Sequence, residues 1–215
     1  WRLDLAGFGE SGAVVDGFQP DSDYAAEDIR AAVQLILSRH GLQRMDVLGW
    51  SWGTVTSGRF AARHPELVKR LVLYAPIVAG LGEQEVTEPF HANSWLHAAS
   101  DFQMKPDGTM DETITETGAA DTFLSNCWRY DRESSPNGGR RDLLVAKSNR
   151  LIPTAAIQAP VLIIAGSKDP YVSPALCREA YESLPNKESR LDTVEGAAHA
   201  MLLETPYYRS FREPT

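Results

Sequence analysis

Between Asp23 and His40 the apolar residues Ile29, Val33, Ile36 and Leu37 return every three to four positions. That spacing predicts an amphipathic helix, with Ser22 or Asp23 as its N-cap and Gly41 as its stop. Met45 to Leu48 is a short, mostly apolar run, too short for a helix and suited to a buried strand. Thr54 to His64 returns to helical character with the small residues Gly58, Ala61 and Ala62, which allow close packing on a sheet, and Pro65 marks its end. Leu71–Tyr74 and Val161–Ile164 are continuous apolar runs of the kind expected of strands covered on both faces. Pro174 to Leu184 predicts a helix and Arg190 to Val194 a last short strand. Trp1 to Leu5 reads as the tail of a strand, and Gly7 to Pro20 as a glycine-rich loop. This alternation predicts an α/β fold, a mostly parallel sheet with helices on both faces.

The interval 81–158 breaks the rhythm. It holds Phe90, Trp95, Phe102, Phe123, Trp128 and Tyr130, and it carries turn signals at Pro106-Asp107-Gly108 and Pro136-Asn137-Gly138-Gly139. It reads as a mostly helical insertion, a cap over a site. The core is then 1–80 together with 159–215, and the cap or lid is 81–158. There is no internal repeat or low-complexity tract.

Composition narrows the classes without naming one. The chain has 215 residues, enough for one sizeable domain with an insertion, and 43% of them are hydrophobic. A net charge of −8 argues against a nucleic-acid partner or an anionic membrane surface, both of which call for a basic patch. No apolar run reaches the roughly 18 residues that would span a bilayer. Cys127 and Cys177 have no Cys-x-x-Cys spacing and no adjacent histidine, so they read as thiols in a reducing, cytoplasmic setting. No metal-ligand pattern is present, and the acidic run Asp21-Ser22-Asp23 reads as a helix cap, so neither metal nor other cofactor is expected.

Gly49-Trp50-Ser51-Trp52-Gly53 carries the chemistry. It lies between the apolar run at 45–48 and the helical segment from Thr54, the strand–turn–helix setting in which Gly-x-Ser-x-Gly becomes a nucleophile elbow. Serine needs a base within reach and donors for the oxyanion. Asp169, in Gly166-Ser167-Lys168-Asp169-Pro170, follows the strand at 161–164. His199, in Gly196-Ala197-Ala198-His199, follows the last strand in the same way. Three loops at the carboxyl edge of one parallel sheet can converge, and the order Ser, Asp, His is that of an α/β-hydrolase.

With these residues in place, the chain resembles the α/β-hydrolase superfamily, and within it the capped serine hydrolases of esterase, lactonase and aminopeptidase type. Asp4-x-x-Gly7-x-Gly9-x-Ser11 resembles the turn after the family's fourth strand. Ala61-Ala62-Arg63-His64-Pro65-Glu66 resembles the end of the helix behind the nucleophile. Gly166-x-x-Asp169 and Gly196-x-x-His199 resemble the acid and histidine loops. The resemblance implies Ser51 as nucleophile, His199 as base and then acid, Asp169 as the orienting acid, and the Trp52 backbone N–H as an oxyanion donor. It implies an acyl-enzyme and a small-molecule ester or lactone. Trp50, Trp95, Phe123 and Trp128 are expected to contact an apolar or aromatic substrate. Aminopeptidase, C–C bond hydrolase and acyltransferase share the same triad, and a non-hydrolytic receptor shares the scaffold.

Other readings of single residues are weighed on the same terms. Asp169 before Pro170 also fits an Asx-turn. Asp192 and Glu195 are acidic rivals, but they precede His199 on its own strand–loop unit. His40 and His64 lie near helix C-termini and read as structural, while His91 and His97 fall in the insertion. Gly7-x-Gly9-x-x-Gly12 matches a dinucleotide fingerprint, but that mechanism needs a helix opening at the glycines, and here the helix waits until about Asp23. In the family, three strands precede the one that Trp1–Leu5 resembles, and the loop after the third carries a second oxyanion donor. The expectation is therefore a longer polypeptide with about 40–70 further residues before Trp1.

Overall fold

The computed structural model describes residues 1–92, 98–99, 101–131 and 134–205. In chain order the elements are α1 (Ser22–His40), β1 (Met45–Trp50), α2 (Trp52–Arg63), β2 (Val68–Tyr74), β3 (Phe90–His91), α3 (Thr117–Asp131), β4 (Ser135–Pro136), α4 (Gly138–Leu143), β5 (Val161–Gly166), α5 (Pro174–Glu182) and β6 (Arg190–Val194). The helix and strand boundaries read from periodicity move by a few residues at most. α1 is capped by Asp21, whose carboxylate accepts the N–H groups of Asp23 and Tyr24, and it ends at Gly41 in the left-handed conformation. Ser22, considered as a cap, is instead buried and accepts the Trp52 indole N–H at 2.9 Å.

The main sheet has the order β1-β2-β5-β6, and every pairing is parallel. Its register sorts side chains into cross-strand rows. Leu71, Leu73, Val161 and Ile163 point to one face, where they join Val33 and Leu37 of α1, Val55 and Phe60 of α2, and Cys177 and Ala180 of α5 in a single buried core. Full burial of each of the Val, Leu, Ile and Phe side chains contributes about 1.5–3 kcal/mol. Asp23 ties α1 to α2. Burial pulls its carboxyl pKa upward, but hydrogen bonds and charge from Arg59 and Arg63 outweigh that and hold it below the ordinary value.

On the opposite face the register aligns Leu48, Val72 and Leu162. Leu48 is 65% exposed, and Asp46 pairs with Arg70 at the surface. Nearer the carboxyl edge, Trp50, Tyr74 and Ile164 are covered by Ala197 and Met201. The expected helices on both faces are thus found on one face among the described residues, since α1, α2 and α5 all feed the same core. Trp1–Leu5 also departs from expectation: it is not a strand. It has no ladder partner among the described residues, and a strand exists only through such pairing. Trp1 instead packs edge-on against the His40 ring.

Among its described residues, the stretch between β2 and β5 is helical only in part. It holds α3, α4, the two-residue antiparallel pair β3–β4, and single bridges such as Met104 with Met110. The turn signal at 106–108 forms a turn, closed by Gly108 N–H to Lys105 C=O at 2.9 Å, whereas 136–139 is taken up by the end of β4 and the start of α4.

Candidate active site

Ser51 lies in the sharp turn between β1 and α2, with φ 54° and ψ −124°. This is a backbone region that favours glycine, and the next β-strand end repeats it at Ala75, φ 45°. The turn is held from both sides. Ser51 N–H donates to Tyr74 C=O at 3.2 Å, and its own C=O accepts from Thr54 N–H and Oγ1. Gly49 is required for close approach, since a Cβ there would lie 2.2 Å from the Gly53 carbonyl oxygen and 2.3 Å from Ser57 Oγ. Gly53 meets no such neighbour, so only the first glycine of the motif is demanded sterically.

Asp169 follows β5 in a loop pinned by Ser167 N–H to Val194 C=O and Lys168 N–H to Ala197 C=O. A Cβ at Gly166 would meet the Ala197 carbonyl oxygen at 2.3 Å, which fixes glycine where the acid and histidine loops cross. His199 follows β6 in the second of these loops.

The three side chains form one hydrogen-bonded chain. His199 Nδ1 lies 2.8 Å from Asp169 Oδ2, and His199 Nε2 lies 2.8 Å from Ser51 Oγ. A carboxylate can only accept, which places the imidazole proton on Nδ1 and leaves Nε2 to accept from the serine hydroxyl. The His199 and Asp169 side chains are 1% and 2% exposed. Asp169 Oδ1 accepts the Tyr171 N–H at 2.9 Å, so the Asx-turn and the histidine contact coexist on one carboxylate. The Tyr171 ring stands edge-on to His199 with centroids 4.7 Å apart.

Ser51 opens into a cavity of about 650 Å³, within the range of small-molecule sites. Phe8, Trp52, Ile77, Leu81, Leu143, Leu144 and Tyr171 form its apolar wall, and Glu85, Glu88, His91, Asp101, Asn137 and Arg140 bring polar groups. The substrate contacts expected from aromatic content lie elsewhere. Trp50 packs on Tyr74 and Phe123, Phe123 also packs on Phe102, and Trp128 is 42% exposed on α3. None of these three lines the cavity. Trp95 and His97 lie outside the described residues. His64 sits by Glu27 and Glu66, and His40 by Trp1, both remote from Ser51 on the helix ends.

Sequence reasoning missed Phe8, Tyr171 and Asp101. Phe8 belongs to the Gly7–Gly12 turn set aside as a false dinucleotide motif. That turn is closed by Gly7 N–H to Gly12 C=O, and no helix opens until Ser22. Its outcome is to place Phe8 against Trp52, centroids 5.6 Å apart, on the cavity wall. The signal for Tyr171 was available two residues after Asp169, where an Asx-turn sends its acceptor bond.

Comparison with known proteins agrees with this architecture. Over 203 residues the chain is 27% identical to the pimeloyl-(acyl-carrier protein) methyl ester esterase of Neisseria meningitidis serogroup A, covering 86% of this chain and 62% of that protein. Among solved structures it superposes on the monoacylglycerol lipase of Paleococcus ferrophilus with a TM-score of 0.67 at 17% identity, covering 97% of this chain and 77% of the other. An esterase from Exiguobacterium antarcticum gives 0.64 at 18% identity, covering 97% and 76%. The family model described as serine aminopeptidase, S33, matches residues 1–206. The chain belongs to that family, within the α/β-hydrolase superfamily of serine hydrolases.

Proposed function

We propose that this protein hydrolyses a carboxylic ester or lactone of a small apolar or aromatic molecule through an acyl-enzyme. The observation that carries the reading is the continuous chain Asp169–His199–Ser51, with both links at 2.8 Å, ending at a cavity. Ser51 Oγ bonds to the carbonyl carbon while its proton passes to His199 Nε2. Asp169 holds the imidazole in the right tautomer and offsets the imidazolium charge. The Trp52 backbone N–H, at the N-terminus of α2, donates to the oxyanion. The alkoxide leaves with the proton from His199. Water, deprotonated by His199, then attacks the acyl-enzyme and restores Ser51.

The apolar wall supports an apolar or aromatic substrate, now assigned to Phe8, Trp52, Leu143, Leu144 and Tyr171 rather than to Trp50, Phe123 and Trp128. Residues 81–158 act as a cap, since Leu81, Leu143 and Leu144 roof the cavity that holds Ser51. A second reading, amide hydrolysis at a free N-terminus, is favoured by Glu85, Glu88 and Asp101 on the same wall, which suit an ammonium group. The cytoplasm fits the buried free thiol of Cys177.

The test is a panel of p-nitrophenyl esters, lactones and aminoacyl amides, run beside fluorophosphonate labelling. Ester or lactone turnover with labelling, both lost in Ser51→Ala, is the expected result. Turnover confined to aminoacyl amides replaces the first reading with the second. Ligand binding without labelling overturns both in favour of a receptor.

A further inference from the structure

Glu204 takes no part in the Asp169–His199–Ser51 chain, yet it is fully buried five residues beyond His199. Its Oε2 accepts the Ala198 N–H at 2.8 Å and lies 3.4 Å from Gln103 Nε2. The same Gln103 amide donates to the Gly196 carbonyl at 2.7 Å. Gln103 belongs to the insertion and Glu204 to the segment after the histidine, so the two side chains grip the loop at 196 and 198 from outside it. Asp101 completes the grip. Its backbone carbonyl accepts the Ala200 N–H at 3.1 Å, and its Oδ1 accepts the hydroxyl of Tyr171, the residue stacked edge-on against His199. Positions 196, 198 and 200 are thus each anchored, while the histidine between them is left to face Ser51.

We propose that Glu204 and Gln103 are positioning residues that hold the His199 loop in register with Ser51, so that the insertion sets the place of the base. This rests on the acyl-transfer reading. A group that only filled space here would need no polar atoms, and an unpaired buried carboxylate would be costly. Burial pushes the Glu204 carboxyl upward from its ordinary pKa, against the Ala198 and Gln103 donors, and the Asp169 charge adds to the rise. Its Oε1 is buried with no partner among the described residues, and so is Thr115 Oγ1. Thr115 stands opposite Glu204 in an antiparallel bridge, a pairing that puts side chains on one face. Glutamine matches the size of Glu204 and keeps one acceptor for the Ala198 N–H, so it retains the hold on the loop.

The experiment compares kcat, KM and Tm of wild type, Glu204→Ala, Glu204→Gln, Gln103→Ala and the double alanine variant on an ester hydrolysed in a Ser51-dependent way. Glu204→Ala should lower kcat about tenfold or more with KM unchanged, the mark of a misplaced catalytic group. Glu204→Gln should recover most of that loss. Gln103→Ala should show a smaller loss in kcat, and the double variant should fall less than the two single losses combined, because both cut one linkage. If Glu204→Ala gives no cooperative melting, Gln103→Ala decides alone. Unchanged kcat in the folded alanine variants, a loss expressed in KM, or a Glu204→Gln as poor as Glu204→Ala overturns the proposal. A wild type that neither turns over nor labels at Ser51 overturns the acyl-transfer reading itself, and this proposal with it.

Discussion

The carboxyl edge of the sheet and the insertion between β2 and β5 wall the same cavity by opposite means. At the edge, Ser51 follows β1 by one residue, Asp169 follows β5 by three, and His199 follows β6 by five, so parallel ladder pairing fixes their separations. Among its described residues the insertion has little ladder beyond the short β3–β4 pair. Its walls are held by single backbone bonds between loops, such as Asn137 N–H to Pro89 C=O at 3.0 Å and Gly138 N–H to Gly17 C=O at 2.8 Å. Periodic structure positions the reacting groups, and aperiodic structure shapes the space in front of them. Changes at the edge should therefore act on kcat, and changes in the insertion residues that line the cavity on substrate choice; Gln103, which reaches out of the insertion to the His199 loop, belongs with the edge.

The largest expected effect is at the edge. Ser51→Ala should lower kcat by about 10⁶-fold in steady-state ester hydrolysis. Asp169→Asn should cost about 10⁴-fold, because it removes the acceptor that fixes the imidazole tautomer. A pattern in which these variants raise KM and spare kcat would break the comparison. In the insertion, Leu144→Ala enlarges the cavity and should shift kcat/KM between acyl chains differing by a few methylenes by about 10–200-fold, measured over a p-nitrophenyl ester series. An equal loss on every chain length would mean that Leu144 supports the chemistry rather than the choice. Phe60→Ala, in the core beneath the edge and far from either wall, should destabilise by about 3–5 kcal/mol in urea unfolding. Asp46→Ala, on the uncovered face, should cost at most about 1 kcal/mol.

The same division explains what could be read from the sequence. The helix at 22–40, the strand at 190–194 and the elbow at 49–53 each rest on local periodicity or on a turn whose geometry only certain residues fit, and these are visible one residue at a time. The Asp169–His199 link is also legible, because both loops follow strands of one parallel sheet. The cavity wall is not. Phe8 and Tyr171 reach it through turns whose direction depends on contacts 40 or more positions away, as in Phe8 against Trp52 and Tyr171 against Asp101. Aromatic richness pointed to Trp50 and Phe123, which pack on each other instead. Hydrophobicity marks a residue for burial without saying which pocket will bury it. The Trp1–Leu5 segment shows a related limit, since strand propensity without a ladder partner among the described residues leaves no strand.

The backbone angle at Ser51 has one more consequence. A non-glycine residue at φ 54° and ψ −124° carries conformational strain of about 1–3 kcal/mol, which the surrounding fold must overcome. Ser51→Gly removes both the hydroxyl and the steric reason for that strain. The inactive protein should then melt at a higher temperature than the active one. The residue that would do the chemistry is the one whose loss lets the turn relax, and the molecule stays below its attainable stability for as long as it keeps a nucleophile there.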